Sequence, residues 1–517
     1  MTSSSRCYGR KLFWMLSRMF AFGLIAIANA TDTDCADASV GQFTSHSDVG
    51  NVQRSGSAEY DATGDTYLLS GAGANMWFAD DEFHFVWRKL RGDFVLHARG
   101  RFIGEGTDPH RKIGWMVRAS LAPNSAYADV AVHGDGLTSL QFRRSPGANT
   151  EEVKSTATSP DVLQLERRGN VYTMKVARDG EPLAESKLED LNLGDEVYVG
   201  LFICSHRADV IERATFDNVR ITIPAAADFR PYRDYIGSRL EIVEIATGHR
   251  QVVLESADPL QAPNWAPDGN SIIYNANGRL YAFDLNKRNT TPIDTGTSTR
   301  NNNDHVLSPD GSWHGISHHS AEHDNRSIVA VVPAAGGSPR NVTSQGPSYL
   351  HGWSPDGKNL LYTAERDGEF DIYRIPIGGG AEERLTRSPG LDDGAEYHPD
   401  GRTIYYNSST TGRMQIWRMS ADGSQPTQLT DDDYNNWFPH VAPDGQQFVT
   451  LSFPNTIAAD DHPFYQHVLL RLFPRDGGKP RVLAYVYGGQ GTINVPSWSP
   501  DGKYLALISN SQLITDR

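Results

Sequence analysis

The sequence predicts an all-β chain: a β-sandwich in the N-terminal half, then a six-bladed β-propeller closed by a composite blade. Three observations predict it. First, x-Pro-Asp-Gly occurs six times, with prolines at 267, 309, 355, 399, 443 and 500, spaced 42, 46, 44, 44 and 57 residues apart. A near-fixed period in this range marks stacked supersecondary units. Second, the two ends of the array are complementary half-units. Third, residues 40–224 carry strand after strand with no repeat and almost no helical periodicity.

Each repeat has one grammar. An aromatic-rich run leads into Pro-Asp-Gly, where proline fixes φ and glycine supplies φ > 0, which makes a tight turn. An apolar strand follows, such as Ser271–Tyr274 or Thr403–Tyr406. Then comes a strand of alternating polarity, such as Asp371–Ile375 or Gln415–Met419. A Gly-rich turn and a last strand near Leu385-Thr386 or Leu429-Thr430 complete the unit. Four antiparallel strands make one propeller blade. The last copy, Pro496 to Ile508, supplies only two strands, and Arg239–Ile245 with Arg250–Leu254 supplies two more. Their union closes the ring and removes exposed edges.

In the N-terminal half, Phe94–Arg99, Ile113–Arg118, Leu163–Arg167, Tyr172–Val176, Val197–Phe202 and Ala214–Val219 read as strands of a sandwich. Trp77, Trp87 and Trp115 are either sugar-stacking surfaces or core aromatics. The expected organisation is a signal peptide at 1–30, a sandwich at 31–224, a linker at 225–237 and the propeller at 238–517. The leader reading rests on Arg6, Arg10, Lys11 and Arg18, a short apolar run from Met19 to Ile27, and Ala28-Asn29-Ala30. An uncleaved signal anchor is the competing reading. The apolar run is too short to span a bilayer. The mature chain is therefore expected to be periplasmic or secreted, with no transmembrane span. Cys35 and Cys204 either pair in an oxidising compartment or remain free thiols. The net charge of −15 and the absence of a basic stripe disfavour nucleic acid.

The repeats resemble the PD40 (TolB-type, WD40-like) propeller family, whose consensus reads Trp-Ser-Pro-Asp-Gly-Lys. Trp353–Lys358 and Trp498–Lys503 match it outright, and the resemblance covers roughly residues 232–517. It implies fold more than function. Val199–Phe202 and Ala214–Val219 resemble the last strands of a concanavalin A-like (laminin G or DUF1349-type) jelly roll, which implies a carbohydrate-binding or spacing module. The Glu-x-Asp-x-x-Glu strand of that group's catalytic members is missing, so glycosidase chemistry here is not expected.

Polar residues before each turn are the candidate site. His305 and His351 share one register, three residues before their serines, while His440 sits two residues before its turn. Asn435, Asn436, Gln490 and Asn494 are candidate ligand-binding residues in the same zone. Two functions follow. One is a non-catalytic exported module that binds a glycan or an exported protein, in glycan metabolism. The other is a metal-dependent lyase. Here the blades resemble the oligogalacturonate lyases, although that family has seven blades against six expected here. That resemblance implies a divalent cation (Mn, Ca or Zn) on His305, His351 and His440. It also implies His318 or His319 as base, and Arg413 as clamp on a uronate carboxylate. The insertion from Pro454 to His467 is either a lid or a decorated loop. A prolyl-oligopeptidase-like reading fails because no Gly-x-Ser-x-Gly elbow is present.

Overall fold

The computed structural model describes residues 39–230 and 232–514. The expected leader and Cys35 lie outside the described residues.

The N-terminal half forms two seven-stranded antiparallel sheets. The first runs Ser45–Val49, Phe83–Arg91, Glu196–Cys204, Lys112–Arg118, Tyr127–His133, Thr138–Arg143, Glu151–Lys154. The second runs Ala184–Leu188, Val171–Ala177, Val162–Arg168, Phe94–Phe102, Arg207–Thr222, Thr66–Gly73, Ser57–Asp61. Alternation sends every second residue inward. Trp115, Val130 and Leu201 of the first sheet meet Leu96, Leu165 and Phe216 of the second in one core. Trp115 is thus a core aromatic, while Trp87 is half-buried and stands edge-on to Tyr198. Cys204 is a buried thiol facing the Gly73 and Glu82 carbonyls, and burial pushes its pKa up to about 11. That suppresses the reactive thiolate.

The repeats form five four-stranded blades. Blade 1 begins with Leu260–Trp265, blade 2 with Asn301–Leu307, blade 3 with Ser348–Trp353, blade 4 with Asp392–Tyr397 and blade 5 with Tyr434–Val441. Blade 6 is composite. Ser238–Glu244 pairs on one side with Arg250–Ser256 and on the other with Tyr504–Asn510, from Ser238↔Asn510 to Glu244↔Tyr504. A bridge between Trp498 and Leu505 adds the fourth position. All six Pro-Asp-Gly glycines have φ between +68° and +75°. The serines before three of these turns donate to the turn aspartate, as Ser308 does to Asp310 at 2.6 Å. The repeat sequence is therefore a turn specification.

Neighbouring blades are tied two or three residues before the prolines of the blade 1, 3 and 6 turns. The Asn264 amide accepts from Leu307 N in blade 2 (2.9 Å) and donates to Pro496 O (2.7 Å). Ser497 Oγ donates to Pro263 O at 2.7 Å. Trp353 and Trp498 reach back with Nε1 to Val306 O and His440 O, both at 2.9 Å.

The second N-terminal sheet packs against blades 5 and 6. Asn218 Oδ1 accepts from Arg250 N at 2.7 Å, and Tyr487 Oη accepts from Ala225 N at 3.2 Å. At the centre, Glu241 of blade 6 is fully buried between two arginines. Arg220 Nη2, from the N-terminal sheet, lies 3.0 Å away and Arg250 Nη2 2.7 Å away. Burial alone would raise the Glu241 pKa. Arg250 and Arg220, with Ser509 Oγ, hold it far below the usual carboxylate range instead.

Removing one member of such a buried cluster strands the others. Glu241→Ala is expected to cost about 3–5 kcal/mol, read by chemical denaturation. A loss below 1 kcal/mol would show that the cluster contributes little.

Candidate functional site

The first strands of the blades surround a cavity of about 810 Å³. All six blades contribute. Gln261 and Asn275 come from blade 1, Asn301 to Asp304 from blade 2, and Tyr349, His351 and Thr363 from blade 3. Asp393 comes from blade 4, Phe438 from blade 5, and Gln490 and Asn494 from the approach to blade 6. The segment between Thr222 and Ser238 adds Tyr232 and Tyr235, and the blade 5 insertion adds Asp460, His462 and Phe464. The cavity is the mouth of the propeller channel.

Every first strand in blades 1 to 5 is bulged against its neighbour, which re-aims side chains. In blade 2, Asn301 pairs with His318 and His305 with Ile316, so three residues are squeezed in between. In blade 3, Leu350 pairs with Tyr362 and Gly352 with Leu361, so His351 is itself the bulged residue. Blades 1, 4 and 5 carry a left-handed residue at the bulge: Ala262 (φ 54), Gly394 (φ 65) and Phe438 (φ 52). A bulky residue there is strained unless its surroundings fix it. Asn407 Oδ1 accepts the Phe438 N–H at 3.0 Å. A Cβ on Gly394 would stand 2.4 Å from that same oxygen, which is why glycine occupies this position.

The bulges overturn the register argument. His305 and His351 share a sequence offset but not a direction. His351 lines the cavity; His305 is buried outside it near Ile273 and His314, and burial drives its pKa down to about 4. His440 is an inter-blade bridge: Nδ1 faces Glu396 Oε2 at 2.7 Å and Nε2 faces Ile493 O. The three histidines are not gathered, and no group of three or more His, Cys, Asp or Glu among the described residues is arranged to hold a metal ion.

The other expected residues divide. His319 lines the cavity, with Nδ1 3.0 Å from Asn325 O, whereas His318 is buried elsewhere. Arg413 is on the surface with Asp433, away from the cavity. Asn435 is structural, accepting from Met414 N and donating to Ile457 O. Asn436 is held by Ser452 and Arg471 in a buried network. Gln490 and Asn494 line the cavity.

The electrostatic centre is Asp304, His351 and Asp393. His351 Nε2 lies 2.8 Å from Asp393 Oδ1, off the line of a hydrogen bond. Thr363 Oγ1 donates to the same oxygen at 2.6 Å, and Gly394 N at 2.8 Å. Burial would raise the Asp393 pKa, but His351 and these donors bring it down to about 2. Burial would lower that of His351, but Asp393 raises it instead. Asp304 has no such partner. Burial, offset partly by His351 and reinforced by Asp393, pushes it up to about 7. His462 stands edge-on to Trp437 at 4.4 Å, and burial lowers its pKa.

A TolB-type propeller, with a polar channel mouth walled by every blade, is the class this geometry defines. Comparison with known proteins agrees. Residues 348–462 match the family model described as TolB beta propeller domain (PD40). An uncharacterised protein of Agrobacterium fabrum is 44% identical over 272 residues, covering 52% of this chain and 92% of that protein. The solved structure of a TolB-designated protein from Agrobacterium tumefaciens superposes with a TM-score of 0.52 at 43% identity, covering 54% of this chain and all of that one. TolB of the Tol-Pal system from Bordetella pertussis is 28% identical over 145 residues, which is 27% of this chain and 32% of that protein. The chain belongs to the TolB-type (PD40) β-propeller family. It spans about a third of the length of the Tol-Pal TolB proteins it matches.

Two outcomes test the site. The Asp304 carboxyl is raised in the folded chain above its unfolded value of about 3.9, so ionising it opposes folding. Its contribution is intact below about pH 4 and is lost as pH rises through about 7. Asp304→Asn stays neutral, so its stability relative to the parent should rise between pH 5 and pH 8 in denaturant titrations. A flat difference would show an ordinary carboxyl. His440→Ala is expected to cost about 1–3 kcal/mol, because Glu396 and the Ile493 carbonyl lose a buried partner. Unchanged stability in the same titration would refute the bridging role.

Proposed function

We propose that this chain is an exported, non-catalytic binding protein whose channel mouth takes an extended segment of a protein partner. The observation that carries this reading is the wall chemistry. Amide side chains from blades 1, 2 and 6 and aromatic rings from blades 3 and 5 line the cavity, and among the described residues no lysine or arginine does. Amides offer a donor and an acceptor each, which matches peptide groups. A well-formed concavity on which polar groups from several elements converge is the usual place for a binding site.

In this proposal a leader at 1–30 directs export to the periplasm or beyond. The sheets at 31–224, resembling a concanavalin A-like jelly roll, form a second module that binds glycan or spaces the propeller, and 225–237 link the two. The lyase alternative finds less support. A uronate carboxylate needs a cation in the wall. Arg413 is outside the cavity, and His305, His351 and His440 face three different environments.

The test uses the full mature chain on arrays of octapeptides and of oligosaccharides, beside Gln490→Trp, which fills the mouth. Peptide binding that the variant loses by roughly tenfold or more supports the reading. Binding unchanged in the variant overturns it. So does a rise in unsaturated-uronate absorbance on incubation with oligogalacturonate.

A further inference from the structure

Resting on the channel-mouth reading, we infer that the site recognises a primary ammonium group, carried by a lysine or a free amino terminus of the bound peptide. The inference starts from charge. Asp304, Asp393 and Asp460 line the cavity, with no lysine or arginine among the described residues lining it to balance them. Asp393 is already matched by His351. Asp304 is only 6% exposed, yet no hydrogen bond from the described residues reaches its carboxylate; its backbone N–H donates to Asn302 Oδ1.

A second observation is independent of charge. Asn301 and Gln490 both line this cavity, and Asn301 Oδ1 and Gln490 Oε1 are buried without a partner among the described residues. Asn301 itself is 6% exposed. Buried polar atoms are nearly always satisfied, so orphans on residues lining one cavity point to a missing partner. With Asp304 they make three acceptors. An ammonium carries three donors and no acceptor. The unpaired Asn303 Nδ2 on the same strand is a donor, which suits a peptide carbonyl beside the ammonium.

The rim supplies the third element. Tyr232 and Tyr235 of the segment between Thr222 and Ser238 are 55% and 44% exposed, and each stands edge-on to Phe464 at 5.7 Å. Exposed aromatic rings of this kind attract a passing cation. The segment is held in place rather than loose. Ile236 N donates to Tyr465 Oη at 3.0 Å, Phe229 packs edge-on to Tyr465, and Arg230 grips Asp234 through two hydrogen bonds. The connection between the two halves of the chain is thus a wall of the site.

The experiment is fluorescence anisotropy on the full mature chain with octapeptides selected on the array, each also made with lysine and amino terminus acetylated. Glucosamine tetramer and N-acetylglucosamine tetramer serve as competitors. Acetylation is expected to weaken binding roughly tenfold or more, since it removes the charge. Asp304→Asn should weaken the free-amine peptide and leave the acetylated one unchanged, with far-UV circular dichroism confirming the fold. Tyr235→Ala, on the exposed segment, should weaken the free-amine peptide several-fold. Acetylated and free peptides binding equally, but still blocked by Gln490→Trp, would overturn the ammonium inference and leave the channel reading standing. Glucosamine tetramer displacing every peptide, with no peptide selecting for amines, would replace the peptide by an amino sugar. No binding in any arm would overturn both readings.

Discussion

Strand Ser238–Glu244 has a hydrogen-bonded neighbour on each side and a fully buried carboxylate at its centre. Both the ring and its attachment to the N-terminal sheets depend on it. Its pairing with Tyr504–Asn510 joins segments more than 250 residues apart along the sequence numbering, with no covalent help. Glu241 then gathers Arg250 from the next strand, Ser509 from the C-terminal strand and Arg220 from the N-terminal sheet. Arg220 Nη1 continues to Asp65 Oδ2 at 3.0 Å. One carboxylate thus reports on closure and on docking together. Such a cluster gives specificity of arrangement rather than bulk stability, because desolvating the charges costs much of what their attraction returns.

That rigidity bears on the site. The segment that carries Tyr232 and Tyr235 leaves the N-terminal sheet near Ile223, which pairs with Gln512, and rejoins the ring at Ser238. Both ends are fixed to the closing blade. Tyr232 and Tyr235 between them are therefore placed over the channel by the docking interface, although they belong to neither folded half. Tyr232 has φ 61, a conformation that a non-glycine residue adopts only where its surroundings enforce it.

The fold was legible because the repeat is itself a turn specification, and because half-units at both ends leave closure as the way to bury two edges. The strands expected at 94–99, 113–118, 163–167, 172–176, 197–202 and 214–219 all lie within observed strands, since period-two alternation survives wherever one sheet face is buried. The site was only partly legible. His351, His319, Gln490 and Asn494 line the cavity, but sequence offset cannot carry direction across a bulge. Blade 2 absorbs two extra residues before His305, whereas in blade 3 the bulge falls on His351. Asp304 therefore takes the place expected of its neighbour. Tyr232 and Tyr235 were missed because alanines and prolines around them read as a linker. Three aromatics within seven residues, Phe229, Tyr232 and Tyr235, were the available signal.

The chemistry of the mouth follows from an asymmetry between two carboxylates. Both Asp304 and Asp393 are buried against the same histidine, and one imidazole ring can pair closely with only one of them. Asp393 wins because Thr363 Oγ1 and Gly394 N already donate to it, so its ionised form is the better solvated. Its charge then adds to the desolvation that Asp304 feels, and the two pKa values are driven apart. Asp304 is therefore a carboxyl that is half-neutral near pH 7, and no hydrogen bond from the described residues reaches it. A cation arriving at the mouth removes that penalty, whereas an anion such as a uronate adds to it. The sign of the preferred ligand is thus set by which aspartate the bulged strands give to His351.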